Sequence, residues 1–95
     1  MLPVRWLPDA RIKLATIIGY IAERNDAAAS RLQDEIERAT SQLPQHPYLY
    51  RRGRVSGTRE MVVHHNYVVV YRVRPSVIEI VSVLHSRQRH PAKRP

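Results

Sequence analysis

The chain has 95 residues, 43% of them apolar, no cysteine and a formal charge of +8. That leaves room for one domain around one modest core, and it excludes a disulfide framework, a cysteine-based zinc site and thiol redox chemistry. No stretch approaches the roughly 20 apolar residues of a membrane span, and "MLPVRWLPDAR" has Arg5, Asp9 and Arg11 where a signal peptide needs an apolar run, so a soluble, cytoplasmic protein with no membrane partner is expected.

"LPVRWL" alternates Val4 and Trp6 with Pro3 and Arg5, a short strand pattern stopped at Pro8. Asp9 is placed to cap a helix in which Ala10, Leu14, Ile17, Ile18 and Ile21 form one apolar stripe, ending near Asn25. Asp26 is placed to cap a second helix with the stripe Ala28, Leu32, Ile36, Ala39 and Leu43, closed by Pro44. So short a connection makes the two helices an antiparallel hairpin. On its surface Arg31 and Glu35, and Asp34 and Arg38, are four residues apart and suited to weak surface pairing.

"QHPYLYRRGRVSG" reads as a loop, with one proline, two glycines and a basic run. Then "TREMVVHH", "YVVVYRV" and "VIEIVSVL", rich in β-branched residues and separated by "HN" and "RPS", predict a three-strand antiparallel meander. The predicted fold is two-layer α+β, a helix hairpin on one face of a twisted sheet with the N-terminal strand added at one side.

Charge divides the chain at about the same place. Residues 1–38 balance six basic side chains (Arg5, Arg11, Lys13, Arg24, Arg31, Arg38) against six acidic ones (Asp9, Glu23, Asp26, Asp34, Glu35, Glu37). Residues 39–95 hold the other ten Arg and Lys, all five histidines and only Glu60 and Glu79. Such a half attracts a polyanion, whether nucleic acid or an acidic protein segment; a solvated basic face that aids solubility is the plainer reading. No helical His pair or His-plus-carboxylate cluster at ligand spacing marks a metal site, and no cofactor is implied. Trp6 is assigned to the core, and Tyr48 and Tyr50 divide between core and interface.

The order of these elements, with "HPYLYRRGRVSGTREMVV", "YVVVYRV" and "VIEIVSVLHSRQRHP" at these distances, resembles the RelE/ParE superfamily of type II toxin–antitoxin toxins, and within it the ParE branch. The resemblance runs from about Val4 to Pro91, giving a single toxin domain over residues 1–91 and a short basic tail over 92–95. It implies the β-α-α-β-β-β fold and a growth-inhibiting toxin of a plasmid- or genome-maintenance module. It also implies a hetero-oligomeric complex with a cognate antitoxin that is acidic and partly disordered. ParE members poison DNA gyrase, whereas RelE members cut mRNA in the ribosomal A site.

One fold thus carries a binding protein and an enzyme, and residues must choose between them. RelE-type nucleases place cationic residues on the middle strands and a tyrosine or histidine near the C-terminus. Here Val68 stands where the RelE pattern "YRVVY" has arginine, no tyrosine follows Tyr71, and "EMVVHH" lacks the RelE lysine pair. These departures favour a gyrase-binding toxin with no catalytic residues. Its target-binding set is Arg59, Arg72, His85, Arg87, Arg89 and His90, and its antitoxin-binding set is Tyr20, Tyr48, Tyr50, Arg51, Arg52 and Arg54. The alternative is a ribosome-dependent mRNA endonuclease with His85 or His90 as general acid or base and Arg59, Arg72 and Arg87 on the phosphate. In that reading His85 lies beside Arg59 and Arg72; in the plainer one, His85 ends a strand, His64 and His65 sit in a turn, and Arg59 and Glu60 pair with Glu79 or Arg72 to fix register. A third reading is a basic corepressor that meets operator DNA only through its antitoxin.

Overall fold

The computed structural model describes residues 1–87. Strand β1 (Val4–Trp6) is followed by helices α1 (Pro8–Ala22) and α2 (Asp26–Ser41), a 3-10 turn at Leu43–Gln45, and strands β2 (Arg51–Arg52), β3 (Arg59–His64), β4 (Tyr67–Val73) and β5 (Ile78–His85). The sheet order is β1-β5-β4-β3-β2. All neighbours are antiparallel except β1, which lies parallel to β5 with Arg5 opposite Glu79. The strand–helix hairpin–meander order is the predicted one. β2 is an addition: two consecutive arginines in the predicted loop pair with Glu60 and Arg59 of β3.

Both helix starts differ from expectation by one residue or two. Leu7, in extended backbone, caps α1, because Pro8 occupies the first helical position, where its missing N–H costs nothing. Asp9 instead lies inside the first turn, complementing the helix dipole. At α2 the cap is Asn25, whose side chain accepts the Ala28 N–H at 2.9 Å, rather than Asp26. The helical surface pairs Arg31 with Glu35 and Asp34 with Arg38 do not close among the described residues; Gln33 donates to Glu37 instead.

The hairpin covers one face of the sheet, with α1 against β5 and α2 against β3. Leu32 and Ile36 of α2, with Leu43, close on Met61, Val69, Tyr71, Ile78, Ile80 and Val83, all buried. Each such aliphatic side chain contributes roughly 1.5–3 kcal/mol by leaving water. Trp6 joins this core as a half-buried flank, as does Tyr50, while Tyr48 is 65% exposed. No helix among the described residues is long and apolar enough to cross a membrane.

Candidate functional site

Strand alternation sorts the cationic half onto the two faces of the sheet. Along β4, Tyr67, Val69, Tyr71 and Val73 face the helices, so Val68, Val70 and Arg72 face away. Glu60 lies opposite Val70 and Glu79 opposite Arg72. Both carboxylates of residues 39–95 therefore stand on the helix-free face, and both are buried.

Each is ringed by arginine. Arg74 Nε donates to Glu79 Oε1 at 2.8 Å, and Arg72 Nη1 lies 3.9 Å from the same oxygen. The Arg74 hydrogen bond holds the Glu79 carboxyl below its ordinary range; burial opposes this, and the charges of Arg74, Arg5 and Arg72 reinforce it. Glu60 accepts the Arg54 backbone N–H at 3.3 Å and sits 3.8 Å from Arg51 Nη2. The register pairing expected for Arg72 with Glu79 is present. Arg59 does not share it, because Arg59 lies opposite Tyr71 and points to the other face.

On that face Arg59 and Tyr71 anchor the chain that leads into β2. Arg59 Nη1 donates to Tyr50 O at 2.7 Å and to Tyr48 O at 3.3 Å, and its guanidinium lies 5.0 Å from the Tyr48 ring centroid. The Tyr71 hydroxyl donates to Pro47 O at 2.8 Å. Burial pushes Tyr71 up to about 12, with the Arg59 charge opposing and Tyr50 reinforcing, so Tyr71 is a fixed donor and not a proton shuttle at neutral pH. Tyr50 meets the Tyr71 ring edge-on at 6.5 Å. The result is a held segment that presents Tyr48 and Leu49 to solvent.

The adjoining loop over residues 53–58 is equally constrained. Gly53 N–H donates to Thr58 O at 2.7 Å, Thr58 N–H to Val55 O at 3.1 Å, and the Thr58 hydroxyl to the same oxygen at 2.7 Å. Gly57 has φ +83°, which a turn with a left-handed third residue requires, and a Cβ on Gly53 would collide with Thr58 Oγ1. Between this loop and Tyr48 lies a cleft of about 350 Å³ lined by Arg52, Ser56, Gly57 and Arg59.

The histidines gather at the other end of the sheet. His85 lies opposite Tyr67, with ring centroids 5.5 Å apart. His64 stacks on His65 at 4.2 Å and lies 5.9 Å from Tyr67. His64 Nδ1 accepts the Asn66 N–H at 3.1 Å and His85 Nδ1 the Arg87 N–H at 3.2 Å, so each closes a tight turn. The expected neighbourhood of His85 with Arg59 and Arg72 is not formed: along β4 its partner Tyr67 is four and five residues from the levels of Arg59 and Arg72, about 13–17 Å, and those two arginines face opposite sides. Nothing in the sequence alone singles out Tyr67; only the β4–β5 register reveals it.

Arg87 is exposed. Arg89, His90 and the basic tail at 92–95 lie outside the described residues. Of the antitoxin-binding candidates, Tyr48, Tyr50, Arg51, Arg52 and Arg54 cluster at the β2 edge, whereas Tyr20 is on α1, 61% exposed beneath the Arg24 guanidinium.

Three kinds of similarity accompany this geometry. A family model described as the ParE toxin of the type II toxin–antitoxin system parDE matches residues 4–90. A putative toxin, Y4kP, of Sinorhizobium fredii is 35% identical over 93% of this chain and 92% of its own length. Toxin RelE3 of Caulobacter vibrioides is 36% identical over 86% of this chain and 91% of its own. Among solved structures, a chain of the chromosomal ParDE toxin–antitoxin system from P. aeruginosa superposes with a TM-score of 0.78 at 18% identity, covering 90% of this chain and 96% of that one. The YoeB dimer from Staphylococcus aureus gives a TM-score of 0.58 at 17% identity, covering 85% and 92%. At these identities the two structures speak for the fold.

Proposed function

Since the chain belongs to the ParE family of type II toxin–antitoxin toxins, we propose that it inhibits growth by gripping and poisoning DNA gyrase, and that an acidic antitoxin silences it by direct binding. The observation that carries this reading is the use of its two glutamates. Both carboxylates of the cationic half are drawn into the sheet, where they order Arg51, Arg72 and Arg74. Arg52, Arg59 and Arg87 have no carboxylate partner among the described residues. That is a surface built to hold an anionic partner, and its field would also speed the encounter.

Arg59, Arg72, His85 and Arg87, with Arg89 and His90 beyond, are assigned to the target. Because Arg59 and Arg72 take opposite faces and His85 lies at the other end of the sheet, the target contacts an extended surface and not one pocket. Tyr48, Tyr50, Arg51, Arg52 and Arg54 at the β2 edge are assigned to the antitoxin, with Tyr20 as a separate anchor on α1. An acidic, amphipathic tail would pair its carboxylates with these arginines and bury its apolar side chains on Tyr48 and Tyr20.

A second reading, ribosome-dependent mRNA cleavage, is favoured by one observation: Tyr67 and His85 face each other at 5.5 Å with His64 close by, groups able to move protons. The two readings separate in vitro. Added to gyrase and supercoiled plasmid, the purified chain should yield linear DNA after detergent and protease treatment, and should leave mRNA intact on translating ribosomes. Cut mRNA with unbroken plasmid would replace the gyrase reading by the nuclease one.

A further inference from the structure

The cleft beside Tyr48 adds to two arginines already assigned above a hydroxyl and backbone N–H groups, which an acidic antitoxin tail does not require. Arg59 enters it already oriented: Nη1 is engaged by Tyr48 O and Tyr50 O, while Nη2 and Nε make no hydrogen bond among the described residues. Arg52 stands directly opposite Arg59 in the β2–β3 ladder and has no ion-pair partner there. The Ser56 hydroxyl and the Gly57 N–H, on the turn that Gly57 bends with φ +83°, are likewise unengaged among the described residues. No carboxylate lines the cleft, since Glu60 lies on the opposite face of the sheet.

Two guanidinium groups, a hydroxyl and backbone N–H groups around one concavity match the many acceptor oxygens of a phosphate better than the two of a carboxylate. A fixed arginine loses less freedom on binding than a mobile one, so its anchorage by Tyr48 and Tyr50 favours capture. The cleft, about 350 Å³, is larger than one phosphate, and the exposed Tyr48 ring at its mouth offers a base a surface to stack on.

We infer that the cleft between Arg52 and Arg59 is a phosphate-binding site that takes a nucleotide phosphate, with Arg52, Arg59 and Ser56 holding the oxygens and Tyr48 packing against the attached nucleoside. The phosphate belongs either to a free nucleotide or to the backbone of a single-stranded nucleic acid. The site stands whichever macromolecule the toxin poisons. An antitoxin tail lying over the β2 edge would close it.

The test is a titration of the isotopically labelled full-length chain with adenosine 5′-monophosphate, with a six-nucleotide single-stranded DNA and with penta-aspartate, following backbone amide shifts. Both phosphate ligands should shift Ser56, Gly57 and Thr58. Arg52→Ala should weaken them at least tenfold without lowering Tm, and Ser56→Ala should weaken them less, while Arg38→Ala on the exposed side of α2 changes affinity no more than about twofold. An oligonucleotide that binds more tightly than the mononucleotide, with a steep salt dependence, identifies the nucleic-acid backbone as the source; one that does not identifies a free nucleotide. The site is overturned if these amides do not move, if Arg52→Ala behaves like Arg38→Ala, or if penta-aspartate binds there more tightly than either phosphate.

Discussion

Arg59 and Tyr71 face each other across the β3–β4 ladder, and between them they hold the carbonyls of Pro47, Tyr48 and Tyr50. An irregular segment with little secondary structure of its own is thereby fixed by two side chains of the sheet. Rigidity at Tyr48 and Leu49 is a tertiary property here, and it can be removed one bond at a time.

Tyr71→Phe deletes only the hydroxyl and leaves the Pro47 carbonyl without its donor. A loss of about 1 kcal/mol is expected, seen in urea as a lower midpoint with an unchanged slope. Arg59→Ala removes two hydrogen bonds and the contact with Tyr48, and should cost more. Amide exchange at Tyr48 and Tyr50 should accelerate in both variants, and Arg59→Lys should restore little, because an ammonium lacks the planar fork. Unchanged exchange in Arg59→Ala would mean that the segment is held by something else.

Glu79 should give the acid limb of the stability curve a recognisable shape. Arg74 holds its folded pKa below the ordinary 4.5. A depressed carboxylate adds stability that is fully present above the unfolded value and lost as the pH falls through the folded one. Glu79→Gln should therefore lower Tm at neutral pH, and the gap to the parent chain should begin to shrink below the ordinary value and close at still lower pH. A gap that stays constant with pH would show that the carboxylate charge is not the source.

The loop over residues 53–58 should tolerate substitution at neither glycine, for different reasons. Gly57→Ala places a Cβ in open space but keeps φ at +83°, a conformation that costs an L-residue about 1–2 kcal/mol. Gly53→Ala meets Thr58 and must push β2 away from β3. The second should be the more damaging to antitoxin affinity, which a titration of each variant would reveal, and equal affinities would detach the β2 edge from antitoxin binding.

Arg87→Ala combined with Arg89→Ala should reduce toxicity by about thirtyfold or more, given that truncating each interface arginine commonly costs about 1–2 kcal/mol. The fold should be intact, since Arg87 is exposed and forms no ion pair among the described residues. Unchanged killing at unchanged protein level would remove this segment from the target surface.

The sheet and hairpin were legible because Val4 and Trp6, the stripe through Leu32 and Ile36, and the runs "YVVVYRV" and "VIEIVSVL" obey simple periods. β2 was not, since two consecutive arginines carry no alternation and become a strand only by pairing with β3. The helix caps shifted because Pro8 and Asn25 compete locally with Asp9 and Asp26, and cap geometry decides between neighbours. The site was legible in composition and not in arrangement. Which face a strand residue takes follows from register, and one pairing, Arg59 with Tyr71, is enough to send Arg59 and Arg72 to opposite sides. Irregularities between Val62 and His64 and between Val70 and Tyr71 shift the register further, so the meeting of Tyr67 with His85 has no signature in either strand alone.

The central claim, a toxin that grips gyrase, is tested most directly by brief expression followed by scoring of chromosomal double-strand breaks and of cuts in translated mRNA in the same cells. Breaks that disappear when gyrase is made insensitive, with mRNA uncut, are the predicted result. Codon-phased mRNA cuts with an unbroken chromosome, abolished by His85→Ala, would contradict it and make the Tyr67–His85 end of the sheet an active site.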